Sequence, residues 1–92
     1  MSRLLKILQK ILQGNADKNI DFDELRNLLF RLGFSERIKG GHHIFTSDLI
    51  DEIINIQPLT GNKAKPYQVK QIRQLIHDNN LLEQLKKDND EK

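Results

Sequence analysis

The chain has 92 residues, 37% hydrophobic and 30% charged, with 15 Lys and Arg against 13 Asp and Glu, a net +2. That length suits one domain with one modest core and leaves no room for two. With no Cys, a disulfide framework, a thiolate zinc site and a Cys nucleophile are excluded, and no segment approaches the ~20 apolar residues of a membrane span.

The N-terminal MSRLLKILQKILQG keeps Lys6, Gln9 and Lys10 inside its apolar run. Those polar residues break the pattern of a signal peptide and leave an amphipathic helix, so the expected compartment is the cytoplasm. Ser2 is its expected cap, Leu4, Leu8, Ile11 and Leu12 fall at helical spacing, and Gly14-Asn15 ends it near Gln13. With the polar linker behind it, this makes an appended element over residues 1–19. Packing on its own domain is its expected role, ahead of self-association or partner binding.

The main domain is expected over 20–82. Asp21 with Glu24 three residues on has capping-box spacing, and Ile20 and Leu25 flank the pair as a hydrophobic staple. Leu25, Leu28, Leu29 and Leu32 then form one stripe, and Gly33 stops the helix. From Phe34 the period changes to two. Phe34, Glu36 and Ile38 share the parity of a first strand, Lys39-Gly40-Gly41 is a turn, and His42 to Thr46 is a second strand. Ser47 to Asp51 is a connection, Glu52 to Gln57 a third strand closed by Pro58, and Thr60 to Lys65 a basic loop. Pro66 suits the first turn of a last helix, with Val69, Ile72, Leu75 and Ile76 on its buried face and Asn79-Asn80 at its end. The charged residues 83–92 are expected to be a disordered tail. The order helix, then helix-strand-strand-strand-helix, predicts an α+β fold. A three-stranded antiparallel sheet packs helices on one face and leaves the other open.

Charge is unevenly spread. Thr60 to Gln74 holds Lys63, Lys65, Lys70 and Arg73 with no acid, and Arg37 and Lys39 lie beside the glycine pair. A local basic patch favours a polyanion, with a merely solvated basic face as the plain alternative.

The cluster with chemical potential is Gly40-Gly41-His42-His43-Ile44-Phe45. Neighbouring residues on a strand point to opposite faces, so His42 and His43 do not chelate one metal together, and no metal site is expected. Acid–base work needs one well-placed imidazole. If Phe45 faces the helices, His43 shares its side and His42 stands on the open face beside the turn. Glycines there admit close approach of a substrate backbone. Arg37, Lys39, Lys63 and Lys65 are candidates for holding phosphates. The set suits a phosphodiester whose own 2′-hydroxyl attacks. Two ordinary strand histidines beside a hairpin turn are the plain reading.

The stretch Leu28 to Phe45, LLFRLGFSERIKGGHHIF, resembles the HicA toxins of bacterial and archaeal HicAB toxin–antitoxin systems. Gly33-Phe34 matches that family's helix-ending Gly-aromatic pair. Gly40-Gly41-His42 through Phe45 matches its Gly-Ser-His motif followed by Phe, with Gly41 in place of Ser. The third strand and the helix after Lys65-Pro66 match more loosely, and the likeness spans residues 20–82. Two further departures are the lack of a His after Pro58 and the extra N-terminal helix.

The resemblance implies a double-stranded-RNA-binding-domain-like fold and a metal-independent, cofactor-free endoribonuclease that cuts mRNA. It places the catalytic role on His42 and implies a HicB-like antitoxin as protein partner. Arg37, Lys39, Gly40, Gly41, His43, Lys63 and Lys65 complete the expected RNA-binding set. The alternatives are a non-catalytic RNA-binding module on the same fold and a protein-interaction domain led by the first helix. No membrane association is expected, and the sequence sets no oligomeric state.

Overall fold

The computed structural model describes residues 3–81 and residue 83. Helix α1 (Arg3–Gln13) is followed by a single 3-10 turn (Asp17–Asn19) and helix α2 (Phe22–Arg31). Strands β1 (Ser35–Lys39), β2 (His42–Thr46) and β3 (Ile54–Ile56) come next. A small hairpin, β4 (Pro58–Leu59) and β5 (Lys63–Ala64), leads to helix α3 (Pro66–Asp78). The chain is a small α+β domain with a three-stranded antiparallel sheet ordered β1-β2-β3. None of its described helices is long and apolar enough to cross a membrane. Ser2 and the charged segment from 84 onward, singled out in the sequence, lie outside the described residues.

One apolar cluster holds the elements together. Ile7, Leu8 and Ile11 of α1, Leu25, Leu28 and Leu29 of α2, Phe45, Ile54 and Ile56 of the sheet, and Val69, Ile72 and Ile76 of α3 are all buried in it. The apolar face of α1 is therefore used within its own domain. Arg73 ties α1 further to α3. It donates to the Ile11 carbonyl at 2.9 Å and to both carboxylate oxygens of Asp17 at 2.9 and 3.1 Å.

Three expectations need correction. Asp21 occupies the N-cap of α2, but its side chain makes no capping bond. Lys63 donates to it at 2.7 Å instead, and the Phe22 N–H is met by the Asn62 carbonyl at 2.9 Å. The β4–β5 hairpin, through its turn and its second strand, supplies both partners, so the capping box is not needed. The predicted basic loop is the β4–β5 hairpin, whose Ala64 N–H donates to the Ile20 carbonyl at 2.8 Å. Finally, β3 is shorter than 52–57, and Pro58 opens β4 rather than closing the sheet. Residues 51–53 lie outside the ladder, because Ile50 is drawn into the core before the strand starts while Ile53 stays exposed.

The register sets the faces. His43 pairs with Ile56 and Phe45 with Ile54, while Arg37 and Asn55 flank Ile44 and Lys39 pairs with His42. Directly opposed residues share a face. Arg37, Lys39, His42, Ile44 and Asn55 thus line the outer face, and Glu36, His43 and Phe45 the inner one.

Candidate active site on the open sheet face

The β1–β2 connection consists of Gly40 and Gly41, with φ of 57° and 84°. Positive φ at both central positions is the demand of a type I′ hairpin turn, whose twist matches that of the strands. A Cβ on either glycine would meet nothing within 4 Å, so backbone conformation, not crowding, requires glycine here. The turn starts β2 at His42 and thereby fixes which histidine faces out.

His42 is exposed. Its Nδ1 lies 3.1 Å from Asn55 Oδ1 and its Nε2 lies 3.2 Å from Gln57 Nε2. Lys65 donates to Gln57 Oε1 at 3.2 Å. Behind this row sits Gln68, which is buried. Its Oε1 accepts from the Gln57 N–H at 3.2 Å, and its Nε2 donates to the Asn55 carbonyl at 3.4 Å. The side chains around His42 are thus fastened to β3 and to the start of α3.

His43 points the other way. Its Nδ1–H donates to Glu36 at 2.7 Å, and its ring meets Phe22 edge-on at 4.8 Å. Arg26 grips the same carboxylate with two bonds, Nε to Oε2 at 2.8 Å and Nη2 to Oε1 at 2.7 Å. Those Arg26 bonds, with help from His43 and against the cost of burial, hold the Glu36 carboxyl down at about 2. The Arg26 guanidinium is correspondingly raised, Glu36 being the main cause. This inner triad joins β1 to α2.

No family model, curated protein or solved structure matches the chain. Its chemistry is therefore read from geometry. The structure brings together His42, Arg37, Lys39 and the glycine turn on one surface, and connects Lys65 to it through Gln57. Neither Arg37 nor Lys39 makes an ion pair among the described residues, so both charges face solvent. Lys63 is set apart: its ammonium is held by Asp21 at 2.7 Å and Asn19 at 3.2 Å, and it pulls the Asp21 carboxyl below its ordinary value. His43 lies on the inner face, and His77 is exposed on α3 next to Asp78. Among the described residues no three His, Cys, Asp or Glu side chains converge as metal ligands would.

Asn55, Gln57 and Gln68 did not stand out in the sequence. A signal for the first two was present: Ile54-Asn55-Ile56-Gln57 alternates apolar and polar residues, which puts both amides on the outer face. Gln68 carried none, because its burial depends on where α3 docks.

Proposed function

We propose that this chain is a HicA-like toxin, an endoribonuclease that cuts mRNA on the open face of its sheet with His42 as acid and base. The observation that carries the reading is the exposed, amide-bound His42 flanked on the same face by Arg37 and Lys39, which form no ion pair among the described residues. The Gly-Gly-His-His-Ile-Phe motif supports it, since the register places the motif's first histidine on the accessible side. The helix-strand-strand-strand-helix order from α2 to α3, with the small hairpin inserted before α3, fits a double-stranded-RNA-binding-domain-like arrangement.

In this reaction His42 takes the proton of a ribose 2′-hydroxyl. The 2′-oxygen bonds to phosphorus, the bond to the 5′-oxygen breaks, and the imidazolium returns its proton to that leaving oxygen. The products are a 2′,3′-cyclic phosphate and a 5′-hydroxyl. Arg37, Lys39 and Lys65 favour the phosphorane by their charge. RNA is gripped through phosphates and 2′-hydroxyls more than through base edges. A HicB-like antitoxin would silence the protein by covering this same face, and the cytoplasm is where both would meet mRNA.

The test is expression of wild type and His42→Ala in cells, with growth and mRNA integrity scored, followed by cleavage of RNA by the purified proteins. The wild type arrests growth and cleaves RNA in EDTA. His42→Ala loses at least ~100-fold in cleavage, the usual worth of a general acid–base group, while keeping its fold. An active His42→Ala protein overturns the assignment. Salt-sensitive RNA binding without any cleaved product would identify a non-catalytic RNA-binding module instead.

A further inference from the structure

We infer that Lys65, acting through Gln57, fixes His42 as the Nδ1–H tautomer and so makes Nε2 the basic nitrogen of the site. The role of that nitrogen in RNA cleavage rests on the function proposed above; the tautomer itself does not.

The relay begins at the ammonium. Lys65 has three donors and no acceptor, so the group it meets at 3.2 Å on Gln57 must be the carboxamide oxygen. That choice aims the amide NH2 at His42 Nε2, 3.2 Å away. Two donors cannot share one hydrogen bond, so Nε2 of the neutral ring accepts and its proton resides on Nδ1. Nδ1–H then donates to Asn55 Oδ1 at 3.1 Å, and each contact of the row joins a donor to an acceptor. The opposite tautomer, which solvated imidazole ordinarily favours, would require both amides to turn over. Asn55 has no other side-chain partner among the described residues to resist this. Gln57 does, because its NH2 would then face the Lys65 ammonium. The deciding charge is therefore on Lys65, two bonds away from the imidazole.

Three features keep the relay in register. The Gln57 N–H is held by buried Gln68. Asn55 is set by its pairing opposite Ile44. Lys65 stands at the N-cap position of α3, ahead of Pro66. An incoming 2′-hydroxyl donates to Nε2 in place of the Gln57 amide. After proton transfer, the Nε2–H faces that same NH2, a contact of two donors that is relieved when the proton passes to the 5′-oxygen. In setting the tautomer, Gln57, Lys65 and Asn55 act through His42, which alone takes and gives the proton.

The tautomer is read directly by long-range proton–nitrogen correlation NMR on 15N-labelled protein at about pH 8, above the ordinary imidazole range. Wild-type His42 should show Nδ1–H in about ten-fold excess, the equivalent of one net hydrogen bond. Lys65→Met should bring the two tautomers to near parity, and Lys65→Arg should restore the excess. Gln57→Glu puts a carboxylate at Nε2 and should move the proton there, with kcat falling ~100-fold and KM little changed. His43, held by Glu36, serves as the folding control because its signals should stay fixed. An Nε2–H His42 in wild type, or a Lys65→Met variant with the wild-type ratio, overturns the inference. These spectra need no RNA, so an inert wild-type protein that shows the Nδ1–H form refutes the ribonuclease reading and not the relay.

Discussion

Glu36→Gln removes one charge from the inner triad while keeping the side chain's size. In the folded protein the Glu36 carboxyl sits at about 2 against an ordinary 4.5, chiefly because Arg26 bonds to it. A difference of that size is worth about 3 kcal/mol at pH 7. The side chain is 9% exposed, so solvent screens the interaction little. Because the folded value is depressed, this stability is complete above the unfolded value and is lost as pH falls from about 4.5 towards 2. By pH 3 only about 1 kcal/mol of it should remain. Urea unfolding of wild type and Glu36→Gln at pH 7 and pH 3 isolates the residue, since every other carboxylate is common to both proteins. The gap between them should shrink from about 3 to about 1 kcal/mol. A gap that is the same at both pH values, or that is near zero at pH 7, would refute the triad as the source of stability.

Other outcomes follow from the same geometry. Arg37→Ala and Lys39→Ala should each lower the slope of log affinity for RNA against log salt by about 1, measured by fluorescence anisotropy. Lys63→Ala should leave that slope in place, because its ammonium is already held by Asp21 and Asn19. Arg73→Met should cost about 2 kcal/mol in urea unfolding through loss of its bonds to Asp17 and the Ile11 carbonyl. His42→Ala, on the exposed face, should change stability by less than about 0.5 kcal/mol while it removes cleavage.

Much of the site could be read from local pattern. The period-two run from His42 to Thr46 and the glycine pair before it are enough to divide the two histidines between faces, because a strand alternates whatever packs against it. The helix stripes likewise named most of what the helices bury, Leu8, Leu25 and Ile72 among them. What escaped the pattern was partner choice over long separations. Asp21 and Glu24 have capping-box spacing, yet Asp21 meets Lys63, 42 positions away. Arg26 and Glu36 lie on different elements with nothing in their spacing to join them, and buried Gln68 reads as an ordinary surface residue of a helix.

The charge of the chain shows the division most clearly. Composition and residue order alone set a net +2, a run of four cations between Thr60 and Gln74, and an acid-rich segment around Asp17 to Glu24. The folded arrangement assigns those charges their partners. It lays Asp21 on Lys63 and Asp17 on Arg73, which removes two of the four cations from any basic patch. It leaves Arg37 and Lys39 uncovered beside His42 and turns Lys65 towards Gln57. Secondary structure follows from neighbours along the chain, which a sequence displays. The field at a site follows from distances through space, and those are set when the helices and the sheet close on their common core.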